Sequence, residues 1–154
     1  MRYEHRFRVR APLAVIADFH SRTASMPAIT PPPIIVRLHG APPVLGEGDE
    51  MDFTMWAGPL PMRWVAQIGD VSERGFTGSQ TQGPFAHWQH RHSFMPVTSD
   101  LTEVVDQVEA GVKKHVLWGP VGRAMWIGLP LLFAYRGRKT RQFLEAGGTS
   151  VPER

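Results

Sequence analysis

Apolar and polar residues alternate through the first two thirds of the chain, and a longer helical period takes over near its C-terminal end. In YEHRFRV, residues Tyr3, His5, Phe7 and Val9 share one face, the period of two that predicts a strand. The strand ends at Ala11 and Pro12. Proline suits the first turn of a helix, where its missing N–H is not needed, so LAVIADFHS reads as a short buried helix. A further helical turn is expected over Arg22 to Met26, after which Pro27, Pro31, Pro32 and Pro33 impose an extended connection. IIVRLHG and EMDFTMW are strands on either side of the turn-rich APPVLGEGD. Gly58 to Pro61 reads as a hairpin connection into MRWVAQIGDV, where Met62, Trp64, Ala66 and Ile68 face one way and Arg63, Val65 and Gln67 the other. GFTGSQTQ and FAHWQHRHSFM, joined at Gly83 and Pro84, are two more strands. After the polar PVTSD, LTEVVDQVEA is the last, with Thr102, Val104, Asp106 and Val108 on one face. Close succession of these segments argues for an antiparallel meander.

From Gly119 a helix of about 25 residues is expected from the period of 3.6. Leu132, Phe133, Tyr135, Arg136 and Phe143 are spaced as on an amphipathic helix, and Gly147 and Gly148 supply the stop. Arg136, Arg138, Lys139 and Arg141 complement the helix dipole there, with a membrane-surface role as the minor alternative. Met125 to Tyr135 is apolar almost throughout, shorter than the roughly 20 residues of a membrane span and bracketed by Arg123 and Arg136, so a buried core helix with a bend at Pro130 is expected. The order is strand, two short helices, antiparallel sheet and long helix. A strongly curved sheet wrapped about a helix can enclose a cavity.

Composition narrows the function. At 154 residues the chain is the length of one domain, able to enclose a core and a pocket. The absence of cysteine excludes disulfides, thiolate metal sites and cysteine nucleophiles. The net charge of +3 is concentrated at Arg2 to Arg10 and Arg136 to Arg141, without the aromatic interleaving of a single-strand-binding groove, so no nucleic-acid partner is expected and membrane contact is at most peripheral. Met1 and Arg2 lead into YEHRFRVR without the apolar stretch of a secretory signal, which makes a cytoplasmic location the default. No Walker motif or GxGxxG is present, and no cofactor is expected.

The candidate chemistry is concentrated between Phe76 and Phe94. Trp88, His90, His92 and Phe94 project to one side of their strand, and His87, Gln89, Arg91 and Ser93 to the other. Large rings mixed with two imidazoles suit a cavity wall better than a core strand, because buried polar groups need partners. Phe53, Met62, Trp64, Trp88 and Phe94 are the expected apolar lining, with core packing the plain alternative, and Gln80, His90 and His92 would orient a polar end. Met51, Met55, Met62, Met95 and Met125 add adaptable surface. With a hairpin centred near Thr98, paired residue numbers sum to about 196, so His90 faces Asp106 and His92 faces Val104. That pair is either an acid–base dyad or a structural cross-strand ion pair. The spacing of His90 and His92 would also suit zinc if Glu50, Asp52 or Asp106 supplied a third ligand, but without cysteine or HExxH no metal is expected.

The order of elements and this segment resemble the START-like, or SRPBCC, superfamily, which includes birch-pollen allergens, lipid-transfer domains and polyketide cyclases. The resemblance spans roughly residues 3 to 145. It rests on Gly48, Trp64, Ile68, Phe76, Gln80, Gly83 to Phe85, Trp88, His90, His92 and Phe94, then Thr102, Val104, Asp106 and Val108, a pattern similar to bacterial members of ligand-binding, cyclase or dehydrase-like type. It implies an α+β helix-grip fold, with about seven antiparallel strands wrapped around a C-terminal helix and an internal hydrophobic cavity. A single domain over 1–146 and a flexible tail over 147–154 follow. The implied function is to carry or sense a small hydrophobic ligand, with a cyclase or dehydrase using His90 and Asp106 as the alternative. Where such proteins commonly place an aromatic residue after the acidic position of the last strand, this chain has Glu109, Ala110 and Gly111, which predicts a differently shaped cavity mouth.

Overall fold

The computed structural model describes residues 1–145. The expected stop at Gly147 and Gly148 and the tail over 147–154 lie outside the described residues. Seven strands form one antiparallel sheet, β1 (Arg2–Val9), β2 (Ile34–Gly40), β3 (Glu50–Ala57), β4 (Leu60–Ser72), β5 (Gly75–Gln82), β6 (Phe85–Thr98) and β7 (Leu101–Val112). Helices α1 (Leu13–Ser21) and α2 (Ser25–Ala28) follow β1, and α3 (Trp118–Glu145) closes the chain. The second helical turn thus starts three residues later than expected, and the β3–β4 turn tightens to Gly58 and Pro59 because Leu60 and Pro61 already pair with Ala57 and Trp56.

The strand order is β1-β7-β6-β5-β4-β3-β2, so β1 returns to pair with the last strand. Tyr3, His5, Phe7 and Val9 oppose Val108, Asp106, Val104 and Thr102, which brings the inward faces of the two strands together. The Met1 amino group donates to Ala110 O at 2.8 Å, and the buried Thr102 hydroxyl donates to Ala11 O at 2.8 Å, tying β7 to the corner where β1 enters α1.

β6 and β7 pair with residue numbers summing to 198 rather than 196. The strands run out to Thr98 and Leu101, leaving a turn at Ser99 and Asp100, and an irregularity between Pro96 and Thr98 sets the final register. His92 therefore faces Asp106, and His90 faces Val108. Gly75 meets this pair from β5 with φ 141°, and a Cβ there would overlap the His92 carbonyl oxygen, so only glycine fits.

α3 lies against the concave face of the sheet through small residues. A Cβ on Gly137 would come within 3.3 Å of the Phe7 ring, and one on Gly122 within 3.2 Å of Val112. Leu129 and Phe133 are buried on this face. The apolar stretch is not buried all round as expected, since Ile127 and Leu131 are 78% and 80% exposed. A two-sided sheet–helix sandwich can cover only one face of its outer helix. The helix continues through Pro130. Among the described residues no helix is long and apolar enough to cross a membrane.

Candidate functional site

Between the sheet and α3 lies a cavity of about 440 Å³, partly open to the outside. Each strand from β3 to β6 contributes alternate side chains to it, with Met51, Phe53 and Met55 from β3, Trp64, Ala66 and Ile68 from β4, Phe76 from β5, and Trp88, His90 and His92 from β6. Met125, Leu129, Leu132 and Phe133 of α3 form the opposite wall, and residues of the α1–α2 region and Leu45 complete it. The aromatic part is continuous. Trp64 stacks on Phe53 with centroids 6.0 Å apart and meets Trp88 edge-on at 5.3 Å.

Of the residues singled out in the sequence, Phe53, Trp64, Trp88, His90 and His92 line the cavity. Met62, Gln80 and Phe94 stand outside its wall. Met62 shares the inward face of β4 but is 2% exposed, packed into the core where the β3–β4 hairpin closes. Phe94 lies further along β6, where α1 covers the sheet, and packs with Val9, Ile16 and Val104. Gln80 braces the β5–β6 turn, its side-chain amide donating to Phe85 O at 2.9 Å while its oxygen accepts from Phe85 N at 3.3 Å. The Glu109, Ala110, Gly111 segment packs differently from an aromatic mouth, because Gly111 receives the His87 ring and Ala110 is fully buried.

The polar end of the cavity is built around Asp106, which is 4% exposed. His90 Nε2 donates to Asp106 Oδ1 at 2.9 Å. This bond runs diagonally across the β6–β7 pair rather than straight across, since His90 is opposite Val108. His92 Nδ1 comes within 2.8 Å of the same oxygen, but too obliquely for a hydrogen bond. The two imidazoles lie 3.9 Å apart at their centroids, and the edge of His90 meets the Phe133 ring. Burial alone would push the Asp106 carboxyl up, but the combined contacts from His90 and His92 hold it well below the usual carboxylate range.

Two further residues belong to this end and were missed in the sequence. His20, at the end of α1, lies 5.7 Å from His92 by ring centroid and 5.0 Å from Phe94. Its Nδ1 donates to Ile16 O at 3.0 Å, which leaves Nε2 as the acceptor in the neutral ring. The available signal was its position one turn after Ile16, on the buried face of α1. Burial pushes His20 and His92 each down to about 4, with the neighbouring imidazole acting in the same direction.

Arg136 is the second. It was expected among the cations that complement the dipole at the helix end, and its side chain turns inward and lines the cavity. Its position between Phe133 and Gly137, both buried, places it beside the packed face of α3. Its Nε is covered and has no hydrogen-bond partner, and its Cζ lies 5.6 Å from the centre of the Phe133 ring. Burial pushes its guanidinium down, while Asp106 acts the other way.

His90, His92 and Asp106 are also the described group whose donor atoms lie close enough to hold a cation, all within 4.8 Å. Asp52, another sequence candidate for a metal ligand, is instead paired with Arg63 at 2.8 Å on the outer face. A cation at His90, His92 and Asp106 would have to displace the contacts these residues make with one another, and the nearby Arg136 charge opposes it. The arrangement as it stands is a neutral-to-cationic polar end on a cavity whose remaining wall is apolar.

No protein-family model matches this chain, and no curated protein matches it. Solved structures do. The aromatase/cyclase Zhui from Streptomyces sp. R1128 superposes with a TM-score of 0.70 at 15% identity, over 97% of this chain and 99% of that one. Norcoclaurine synthase from Thalictrum flavum, solved with dopamine and hydroxybenzaldehyde, gives 0.69 at 16%, over 97% and 89%. A START superfamily protein from Mycobacterium smegmatis gives 0.69 at 15%, over 94% and 97%. Identities at this level establish architecture and not chemistry. The chain has a helix-grip fold, the architecture it shares with these structures.

Proposed function

We propose that the protein binds a small hydrophobic molecule, of lipid, isoprenoid, aromatic or polyketide-like type, within the sheet–helix cavity, as a carrier or sensor. The observation that carries this reading is the cavity of about 440 Å³, with a wall that is aromatic and methionine-rich except at one end. Such a volume falls in the usual range for small-molecule sites. Burial of the ligand's apolar surface supplies most of the affinity, roughly 25 cal/mol per Å² before ordering costs. The four methionines in the wall, Met26, Met51, Met55 and Met125, adapt to more than one shape. The aromatic ligands named with norcoclaurine synthase are of the size this reading requires.

Native mass spectrometry of freshly purified protein, followed by organic extraction, tests it. A co-purified hydrophobic compound whose retention falls in a Trp88→Ala variant is the expected result. An apo mass, together with no affinity for any hydrophobic probe, would remove the reading.

The hydrogen bond from His90 to Asp106 favours a second reading, a cyclase or dehydrase-type enzyme. With Nε2 donating to the carboxylate, the neutral ring keeps its lone pair on Nδ1, and the carboxylate stabilises the imidazolium that forms when Nδ1 takes a proton. The cavity would impose the folded shape of the substrate. The likeness to an aromatase/cyclase supports testing it. A His90→Ala variant that binds ligand normally but loses turnover is the outcome this reading requires.

A further inference from the structure

We propose that the occupant of the cavity is an amphipathic carboxylic acid, its apolar body along the aromatic wall and its carboxylate received by the Arg136 guanidinium. This rests on the ligand-binding reading above and specifies the ligand's chemical class.

Arg136 lacks what a structural arginine has. Among the described residues its guanidinium makes no hydrogen bond and no ion pair, and its Nε is covered without a partner. Among the described residues the carboxylate that acts on it is Asp106, which is already engaged by His90 and His92. Arg136 is half-buried rather than fully enclosed, and a cation drawn partly out of water without a close counter-ion is poorly compensated there. A planar fork of five donors beside a ligand cavity matches a carboxylate in two parallel hydrogen bonds.

The sign of the wall agrees. The charged and titratable residues that line the cavity are Arg22, Arg136, His20, His90 and His92, with no aspartate or glutamate among them. Asp106 stands behind the two imidazoles rather than at the surface of the cavity. Arg22 is held by Asp18 through contacts of 2.8 and 3.0 Å. Arg136 is therefore the cation left to meet a ligand, and an amine at this end would meet it with like charge. Phe133, under the guanidinium, and Leu129, one turn before, continue directly into the apolar wall, so head and body of one molecule can be served together.

The test compares decanoic acid with 1-decanol by isothermal titration at neutral pH, using the full chain as wild type, Arg136→Met and Arg136→Lys. A charge-assisted pair in a covered site predicts that wild type prefers decanoate by about tenfold or more. Arg136→Met should erase that preference while holding 1-decanol within about twofold of wild type, and Arg136→Lys should keep part of it. Ligand-free Arg136→Met should also melt at or above the wild-type temperature, a result that a structural arginine would not produce. Equal affinity of wild type for the two probes, or a preference that survives in Arg136→Met, overturns the inference and leaves cavity binding intact. Failure of wild type to bind either probe overturns the inference, and it overturns cavity binding as well only if the freshly purified protein also shows an apo mass and no affinity for any other hydrophobic probe. An Arg136→Met protein that melts lower or fails to fold shows that the guanidinium serves the fold, and that too overturns the inference.

Discussion

Moderate acid should destabilise this protein, because two imidazoles are held in neutral form in largely covered positions. His20 and His92 sit at about 4 in the folded chain against an ordinary value of 6.5. Between those limits the unfolded chain binds a proton at each residue and the folded chain does not, so stability falls as pH falls from about 6.5 towards 4. At about pH 5 the unfolded ring is almost fully protonated and the folded ring almost neutral, a difference of about 2 kcal/mol per imidazole and about 4 kcal/mol for the two. That is a large part of the 5–15 kcal/mol, roughly, that keeps a domain folded. Asp106 adds nothing in this window. Its folded value lies below 3.8, so the stability it contributes is lost only at still lower pH. Urea unfolding followed by tryptophan fluorescence, at neutral pH and at about pH 5, measures the difference directly. Replacing His92 with glutamine should remove about half of the wild-type loss, and the His20→Gln, His92→Gln double variant most of it. A wild-type loss under about 1 kcal/mol, or the same loss in the double variant, would refute the reasoning.

Two structural predictions accompany it. Phe133 is 1% exposed and stacks on Tyr3 at 5.5 Å, so Phe133→Ala should cost about 3–5 kcal/mol in urea unfolding, and a cost under about 1 kcal/mol would mean that α3 does not anchor on this ring. Gly75 has φ 141° and no space for a Cβ beside the His92 carbonyl, so Gly75→Ala should lose about 1–3 kcal/mol, and an unchanged melting temperature would count against the described β5–β6 approach.

Much of the fold was legible in the sequence because period-two and period-3.6 patterns are local. The bounds of α1, β2 and β5 match LAVIADFHS, IIVRLHG and GFTGSQTQ residue for residue. The apolar wall was legible in part, since Phe53, Trp64 and Trp88 lie on inward faces that alternation identifies. Alternation does not say how far along a strand the cavity extends. Phe94 and Met62 point to the same side as their neighbours in the wall, but α1 and the β3–β4 hairpin fill the space over them.

Sequence alone determined the order of elements, the faces of the strands and the presence of histidines on an inward face. It could not decide the β6–β7 register. A slip of one residue would turn every side chain to the wrong face, whereas the actual difference of two preserves all faces and leaves no trace in the hydrophobic pattern. Tertiary structure made that choice, turning a direct His90–Asp106 pair into one carboxylate oxygen approached by two imidazoles. It also brought His20 to them from α1 and rotated α3 so that Arg136 faces inward. His20 and His92 are 72 positions apart and Arg136 and Asp106 are 30 apart, and only the packing of helix on sheet sets which of them meet.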